Sequence, residues 1–344
     1  MIRFNSDYTE GARPEILKLL EETNYQQTEG YGTDEWCAKA RDLIREACGC
    51  PEAAVHFLVG GTQTNATVIA AVLRPYEGAI SADTGHINVH ETGAVEHTGH
   101  KVLALPSKDG KISAEQVKAC LEEHFASPAI EHTVRPGICY ISYPTEYGTI
   151  YTKKELEELH SVCRQYGIPL FVDGARLGYG LACSECDITL KDMAQLCDIF
   201  YIGGTKVGAL FGEAVVIPDP DLLPTFRYMI KQGGGMLAKG RLLGIQFAAL
   251  FTDDLYMRIS KDAIEQSDRI RKALNELGFR IYIDSPTNQQ FFVLTREQYD
   301  EITKEFALDL NCTVEGGVVA RACTSWATRP ENVDRFIEAL KRMR

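Results

Sequence analysis

Short apolar runs, separated by stretches with helical spacing, characterise the first two-thirds of the chain. The runs predict strands, and apolar residues that recur every three or four positions predict helices between them. The predicted strands lie at 55–59, 79–82, 102–105, 138–143, 170–173, 199–202 and 214–217, and the predicted helices at 14–22, 34–49, 65–73, 113–125 and 152–167. Strands that alternate with helices in this way predict a mostly parallel sheet that is covered on both faces.

The pattern changes after the glycine turn at 233–235. Beyond it, the spacing predicts helices and strands in a different order: a helix at 239–277, a strand at 290–294, a helix at 297–310, a strand at 318–323 and a last helix from Pro330. We therefore predict a large domain at 1–245 and a small α+β domain at 246–344. The N-terminal segment 1–25 of the large domain is expected to pack on the small domain.

Composition restricts the classes of partner. The net charge of −12 argues against binding to nucleic acid or to an anionic membrane, because either needs a basic protein surface. No apolar run approaches the roughly 20 residues of a membrane span, and the first seven residues lack the apolar core of a signal peptide. Eleven scattered cysteines fit reduced thiols better than a disulfide framework, which favours a cytoplasmic protein.

A lone lysine, Lys206, follows the predicted strand at 199–202. Its neighbours in the sequence are the small residues Gly203, Gly204, Thr205, Gly208 and Gly212. Glycines let a backbone or a flat ligand approach closely because they have no Cβ. A lysine in apolar surroundings has its charged form disfavoured, so its amine becomes nucleophilic near neutral pH. A surface lysine usually has polar neighbours, and Lys206 is therefore a candidate Schiff-base lysine.

Three further features lie at predicted strand ends. Gly60-Gly61-Thr62 joins a strand to a helix, where backbone N–H groups and a hydroxyl can form an anion site. Asp173 can keep a pyridine nitrogen protonated, and Arg176 lies about one turn later. His86 could stack on a planar ring. Each feature alone has an ordinary structural explanation, but together with Lys206 they indicate pyridoxal 5′-phosphate as the cofactor.

In these residues the sequence resembles the fold-type-I pyridoxal-phosphate enzymes, and most closely the low-specificity L-threonine aldolases of the β-eliminating lyase group. The similarity covers nearly the whole chain. It includes Asn5-Ser6-Asp7, 30–34, Gly61-Thr62, His86-Ile87 with Glu91, 173–176, Lys206, 233–236 and Arg321. The resemblance implies an α/β large domain like that of aspartate aminotransferase, with a mostly parallel sheet, and a small α+β C-terminal domain.

The resemblance also implies a role for each matched residue. Lys206 carries the cofactor as a Schiff base, and Asp173 holds its pyridine nitrogen. His86 stacks on the ring, while Gly61 and Thr62 hold the phosphate. The other implied cofactor contacts are Arg176 and Thr205, and the implied contacts with a small amino-acid substrate are Ser6, Tyr31, Arg176 and Arg321.

The sequence departs from the family pattern at three places. Thr205 stands before the lysine where the family commonly has Ser, which keeps the hydroxyl. The segment Tyr143-Pro-Thr-Glu-Tyr147 replaces a Glu-Asn-Thr-His segment, and Leu237-Ala-Lys239 lies where an Arg is usual. These differences assign the chain to a divergent branch.

The implied reaction is a carbon–carbon lyase reaction that cleaves L-threonine or L-allo-threonine to glycine and an aldehyde. A base must remove the β-hydroxyl proton, and His86, His132 and an ordered water all stay open as candidates. β-Elimination and transamination are the alternatives on the same cofactor. In related enzymes Tyr31 and the 233–236 turn approach a neighbour's active site, so a homodimer or homotetramer is expected.

Two other classes of function are weaker. A metalloprotein would use His86-x-x-x-His90-Glu91 or Cys183-x-x-Cys186, but neither motif has a matching second half at the usual zinc spacing. We therefore expect no metal. A protein with this fold but without catalysis is disfavoured by the intact pair of Lys206 and Asp173.

Overall fold

The computed structural model describes residues 1–344 and contains thirteen strands and fourteen α-helices. The strands are β1 (Ile2–Arg3), β2 (Ala54–Leu58), β3 (Glu77–Ala82), β4 (Lys101–Leu105), β5 (Arg135–Ser142), β6 (Leu170–Asp173), β7 (Ile199–Gly203), β8 (Glu213–Ile217), β9 (Arg280–Ile283), β10 (Gln289–Leu294), β11 (Phe306–Ala307), β12 (Asp309–Val314) and β13 (Gly317–Cys323). The helices are α1 (Pro14–Glu22), α2 (Glu35–Cys48), α3 (Gly61–Val72), α4 (His86–Val89), α5 (Ala94–His97), α6 (Ala114–Ala126), α7 (Lys153–Tyr166), α8 (Leu177–Ala182), α9 (Leu190–Leu196), α10 (Phe226–Gln232), α11 (Arg241–Leu250), α12 (Leu255–Glu276), α13 (Arg296–Ile302) and α14 (Pro330–Arg342).

Seven strands form the central sheet in the order β2-β8-β7-β6-β5-β3-β4. The pairs from β7 to β4 are parallel, while β8 runs antiparallel to both of its neighbours. The mostly parallel sheet expected from the sequence is therefore confirmed. Because parallel strands end at the same edge, Asp173 and Gly203, the last residues of β6 and β7, both lie there. Glu213 joins them, because β8 starts at this edge opposite Gly203.

Side chains of the central strands are buried on both faces of the sheet, as expected for a parallel sheet that helices cover. Successive side chains of β7 point to opposite faces of the sheet. Tyr201 belongs to the hydrophobic cluster on one face, and Ile202 belongs to the larger hydrophobic cluster on the other face. The side chains that reach the site therefore come from a rigid, close-packed layer.

A second sheet, antiparallel and four-stranded, has the order β12-β13-β10-β9. Its core lies against α12, α13 and α14 and includes Ile270, Phe292 and Phe336. The helix predicted at 297–310 is wrong beyond Ile302, because β11 and β12 follow α13. Phe306 and Leu308 are buried at a spacing of two, which suits a strand rather than a helix.

The long helix predicted at 239–277 is interrupted. It forms α11 and α12, and between them Asp253 and Asp254 have φ angles of 53° and 55°. Aspartate tolerates this left-handed conformation better than most residues, so the chain can turn there without glycine. The predicted domain boundary at 245/246 falls inside α11, whereas the hydrophobic cores change over between Ile264 and Ile270 of α12.

The first 25 residues divide their contacts between the two sheets. β1 pairs in parallel with β11, and Phe4 lies in the core of the second sheet. α1 instead contributes Ile16 to the large core. The start of the segment thus packs against the second sheet, and α1 packs against the core of the central sheet.

Two general features of the chain follow from the structure. All eleven cysteines are unpaired, as the scattered pattern predicts. None of the helices combines the length and the apolar character that crossing a membrane would need.

Candidate active site

A cavity of about 310 Å³ opens at the edge where the central parallel strands end. Its lining comes from segments that follow β2, β3, β5, β6 and β7, so residues distant in sequence meet there. The polar and charged side chains in the lining are Tyr8, Thr62, His86, Ser142, Glu146, Asp173, Arg176, Tyr201, Thr205, Lys206 and Glu213. A wider vestibule of about 740 Å³ adjoins it and shares Lys206 with it.

Lys206 enters the cavity from the turn that follows β7. The turn is tight: a Cβ on Gly203 would lie 2.3 Å from the carbonyl oxygen of Ala175, and a Cβ on Gly204 would lie 2.7 Å from that of Gly212. Close packing of the backbone therefore requires glycine at 203 and 204. The amine of Lys206 makes no hydrogen bond or salt bridge with the protein. Burial, followed by the charge of Arg176, lowers the pKa of Lys206, which favours a nucleophilic amine.

Asp173 is the buried carboxylate of the cavity, and its two oxygens accept hydrogen bonds from four donors. Oδ2 accepts from Asn65 Nδ2 at 2.9 Å and from the Tyr140 hydroxyl at 2.6 Å. Oδ1 accepts from the Ala175 N–H at 3.0 Å and from the Tyr201 hydroxyl. Burial alone would raise the pKa of Asp173, but the charge of His86 and these hydrogen bonds lower it. Asp173 is therefore ionised at neutral pH.

His86 begins α4, and its ring lies beside the cavity. Nδ1 pairs with Glu91 Oε1 at 2.7 Å, and the same oxygen accepts from Asn65 Nδ2 at 2.7 Å. Asn65 thus links the histidine pair to Asp173. Burial would lower the pKa of His86, but the hydrogen bond with Glu91 and the charge of Asp173 raise it above its ordinary value. His86 is therefore a hydrogen-bond donor and cation more readily than a base.

The end of the cavity beside α3 can accept an anion. The first helical hydrogen bond runs from Thr64 N–H to the Gly60 carbonyl, so the N–H groups of Gly61 and Thr62 are not used within the helix. A Cβ on Gly60 would meet no atom within 4 Å, which shows the open space there. Backbone N–H groups at the start of a 12-residue helix suit a phosphate.

The predicted hydroxyl of Thr205 is already engaged. It donates to Glu213 Oε1 at 2.8 Å and accepts from the Gly212 N–H at 3.0 Å. Glu213 Oε2 also accepts from the Gly204 N–H at 3.0 Å. Burial raises the pKa of Glu213 to about 7. The hydroxyl of Thr205 therefore holds the turn around Lys206, and its single proton is directed to Glu213 rather than into the cavity.

Both predicted arginines line the vestibule, and both have carboxylate partners. Arg176 donates from Nε and Nη2 to the buried Asp7 at 2.6 and 3.0 Å. Arg321 pairs with Asp309 at 2.9 Å and donates to Gln289 Oε1 at 3.0 Å. The two guanidinium groups face one space, but neither is a free cation.

The N-terminal segment connects these arginines. The Asn5 carbonyl accepts from Arg321 Nη2 at 3.3 Å, and Asp7 holds Arg176. Ser6 lies between them and is buried, although its side chain does not line either cavity. Tyr8 lines both cavities.

Two predicted residues lie outside the cavity. His132 is exposed in a short 3-10 turn before β5, at the opposite end of that strand from the site, so it does not line the cavity of its own chain. Tyr31 is 47% exposed, and Lys231 Nζ lies 4.5 Å from its ring centroid. Tyr31 shares a separate pocket with Gly235 and Met236.

Several residues of the site were not predicted from the sequence. They are Asp7 and Tyr8 near the N-terminus, Asn65 on α3, Glu146 after β5, and Glu213 on β8. Two of them had a signal: Asp7 lies in the matched segment Asn5-Ser6-Asp7, and Glu146 lies in the segment Tyr143-Pro-Thr-Glu-Tyr147 that departs from the family pattern. The others carry contacts between distant parts of the chain, which no local motif reports.

Comparisons with known proteins agree with one another. A family model described as beta-eliminating lyase matches residues 4–297. A solved structure of threonine aldolase from Leishmania major is 43% identical, covers 100% of this chain and 99% of its own, and superposes with a TM-score of 0.97. A low specificity L-threonine aldolase from Pseudomonas aeruginosa is 28% identical over 96% of this chain and 94% of the relative.

A more distant structure defines the fold alone. Aspartate aminotransferase from Thermus thermophilus, in a mutant form, is 14% identical and superposes with a TM-score of 0.74, covering 100% of this chain and 92% of its own. The aminotransferase-like fold of type I, with a mostly parallel sheet and a smaller α+β part, is thereby confirmed.

The pair of Asp7 and Arg176 generates a prediction for stability. Asp7→Asn leaves a buried guanidinium without its charge partner, so we expect a loss of about 3–5 kcal/mol in the free energy of unfolding at pH 7. The matched control is Asp284→Asn, which removes an exposed carboxylate from Arg271 and should cost no more than about 1 kcal/mol. Urea unfolding of the cofactor-free proteins measures both losses.

The same substitution has a defined pH dependence. Burial would raise the pKa of Asp7, but Arg176, Lys206 and Asn288 lower it below its ordinary value of 3.8. Its stabilising contribution is therefore present above pH 3.8 and is lost as the pH falls through the lowered pKa. The difference between the wild-type protein and Asp7→Asn should shrink in that acidic range. A difference that does not change with pH would contradict an ionised Asp7.

Proposed function

Because the chain belongs to the β-eliminating lyase family, we propose that it is a pyridoxal 5′-phosphate-dependent aldolase. Its reaction cleaves the Cα–Cβ bond of L-threonine, L-allo-threonine and similar β-hydroxy-α-amino acids, and yields glycine and an aldehyde. The observation that carries the proposal is the pair of Lys206 and Asp173 in one cavity, the first with an uncommitted amine and the second ionised. The threonine aldolase of Leishmania major, with which the chain shares 43% of its residues, supports the choice of reaction.

The residues of the cavity fit this cofactor. An unpaired buried amine suits an aldehyde, the start of α3 suits a phosphate, and an ionised carboxylate suits a protonated pyridine nitrogen. A pyridine N–H would be a fifth donor to Asp173, so one of the present donors must give way. Tyr201 is the one whose side chain lines the cavity.

When bound, the cofactor supplies an electron sink for the pair of the broken bond. The protein residues do the rest. Asp173 keeps its negative charge through its hydrogen bonds, and His86 supplies a flat, polar wall beside the cavity. Lys206 holds the amine that must be exchanged for the substrate's amine. Because the cavity lies at the end of buried strands, these groups work with little competition from water.

The substrate carboxylate is assigned to the arginines of the vestibule. Nη1 of Arg176 has no partner in the protein, and Nε of Arg321 is a buried donor that lacks one. An anion can bind Nη1 of Arg176 without breaking the pair with Asp7. The pairs with Asp7 and Asp309 orient the two guanidinium groups, which lowers the entropic cost of binding. Ser6 then acts through the segment that joins the two arginines.

The proposed assembly is a homodimer or homotetramer. It is supported by Tyr31 and the 233–236 turn, which share a surface pocket away from the Lys206 cavity of their own chain. Such a pocket is available to a second copy. The eleven unpaired cysteines support a cytoplasmic location.

The first prediction concerns the anchor of the cofactor. The protein loaded with pyridoxal 5′-phosphate should be yellow, and mild borohydride should fix the cofactor on Lys206, because its amine is the only lysine amine in the cavity. Peptide mapping locates the adduct, and Lys206→Arg serves as the control that retains a cation but forms no adduct. An adduct on another lysine would refute the assignment.

The second prediction concerns the reaction products. Incubation of the loaded enzyme with L-threonine or L-allo-threonine should release glycine and acetaldehyde in equal amounts, with little 2-oxobutanoate. Chromatography of both products measures the ratio. Dominant 2-oxobutanoate, or a reaction only with serine or cysteine, would favour the β-elimination alternative, and accumulation of the aminated cofactor would favour transamination.

The third prediction concerns assembly. Sedimentation at assay concentration should show a dimer or tetramer, since Tyr31 is expected to serve the site of a neighbouring subunit. Tyr31→Ala should lower activity in the assembled protein, whereas Tyr25→Ala, at a residue that is 96% exposed, should not. A fully active monomer would exclude a shared site.

A further inference from the structure

Glu146 lies in the segment between β5 and α7 and lines both the cavity and the vestibule. It is the one glutamate that borders both spaces, and Lys206, His86 and Arg176 border them with it. We propose that Glu146 is the catalytic residue that takes the proton from the β-hydroxyl of the substrate. The proposal rests on the aldolase function and assigns the base for that reaction.

The hydrogen bonds of Glu146 leave one oxygen available. Oε1 accepts a hydrogen bond from the Ser142 hydroxyl at 2.6 Å and another from the backbone N–H of His86 at 2.9 Å. Oε2 accepts no hydrogen bond from another residue, and it is not buried. The carboxylate is therefore held by two donors on Oε1, and its second oxygen is left without a partner residue in a side chain that lines both spaces. A general base needs this combination of fixed position and a free lone pair.

The other acidic and basic groups of the cavity are committed elsewhere. Both oxygens of Asp173 and both oxygens of Glu213 accept hydrogen bonds from the protein. His86 uses Nδ1 with Glu91, and its raised pKa makes it a poor proton acceptor. Lys206 is needed for the cofactor. Glu146 remains as the cavity carboxylate with a free oxygen.

The environment of Glu146 also suits proton transfer. Burial raises its pKa above the ordinary value of 4.5, while the Ser142 hydrogen bond and the charge of His86 oppose the rise. A carboxylate with a raised pKa is a stronger base than one in water. The titratable and charged groups that line the two spaces with Glu146 are Tyr8, Asp83, His86, His90, Tyr147, Asp173, Arg176, Tyr201, Lys206, Glu213, Tyr282, Asp309, Cys312 and Arg321.

The step balances without a further reactant. The proton of the β-hydroxyl passes to Oε2 of Glu146, and the O–H electron pair becomes the second bond of the aldehyde carbonyl. The Cα–Cβ bond breaks, and its electron pair stays with the carbon that becomes Cα of glycine. That carbon later takes up one proton, and Glu146 gives up the one it gained, so the reaction consumes no net proton.

The test separates two reactions of the same holoenzyme. Cleavage of L-threonine needs the β-hydroxyl proton to be removed, whereas exchange of the glycine α-proton in D₂O does not, because glycine has no hydroxyl. In Glu146→Gln, kcat for cleavage should fall by about 100-fold or more. Glycine exchange and the absorbance of the bound cofactor should stay within about threefold of the wild-type values. The kcat of Glu146→Asp for cleavage should lie between that of the wild-type enzyme and that of Glu146→Gln.

The control variant is Glu77→Gln. Glu77 is a largely buried glutamate at the opposite edge of the sheet, where it pairs with Arg135. The substitution Glu77→Gln should leave L-threonine cleavage and glycine exchange at wild-type rates. Cleavage by Glu146→Gln at close to the wild-type rate would overturn the proposal, and so would an equal loss of cleavage and exchange. If the wild-type enzyme neither cleaves L-threonine nor exchanges glycine, the aldolase function itself fails.

A second variant keeps the proposal testable if Glu146→Gln does not fold. Ser142→Ala removes the hydroxyl whose hydrogen bond lowers the pKa of Glu146. Since the base must be ionised, kcat rises with pH through that pKa, and Ser142→Ala should move this rise to higher pH. A purely structural role for Ser142 would lower kcat at every pH alike. If kcat of Ser142→Ala rises over the same pH range as kcat of the wild-type enzyme, the assignment of Glu146 is overturned.

Discussion

The site depends on keeping a buried carboxylate charged. Burying an ionised group without compensation is so costly that the group would instead take up a proton. Asp173 avoids this by collecting donors from Asn65 on α3, Tyr140 on β5, Tyr201 on β7 and the N–H of Ala175. Three neighbouring strands and α3 must therefore be in place before the carboxylate is stable as an anion. The parallel sheet thus positions Asp173 and also supplies hydrogen-bond donors that keep it ionised.

The same principle of shared partners recurs around the cavity. Asn65 Nδ2 bridges Asp173 and Glu91, so the state of the aspartate and the orientation of His86 are linked through one amide. Glu213 similarly links Thr205 to the Gly204 backbone. Polar groups in such networks reinforce one another because the surroundings screen charges poorly. A change in one member is therefore expected to reach the others.

Local signals explain what the sequence could predict. The capping boxes at Ser113 and Thr152 give helices that start at the next residue, and the apolar run before Lys206 forms the strand that positions it. The helix predicted to 310 failed because pairing with β13, a tertiary contact, determines the conformation after 308. Asp7 could not be assigned for a similar reason, since its partner Arg176 lies 169 positions away. Glu146 stood in an atypical segment, but only the fold shows that its side chain borders the cavity.

The N-terminal segment has a consequence for the order in which the protein forms during translation. Residues 2–7 are synthesised well before their partners, because β1 pairs with β11, and the Asn5 carbonyl accepts a hydrogen bond from Arg321 across 316 positions. The strands of the central sheet are all present once residue 217 has been made, so the lysine and aspartate can come together on a nascent chain. The half that both arginines line is complete only after Arg321 has been made. Non-local contacts of this kind form late and slowly, and a nascent chain therefore passes through a stage that has the Lys206 and Asp173 half of the cavity but not the half lined by Arg321.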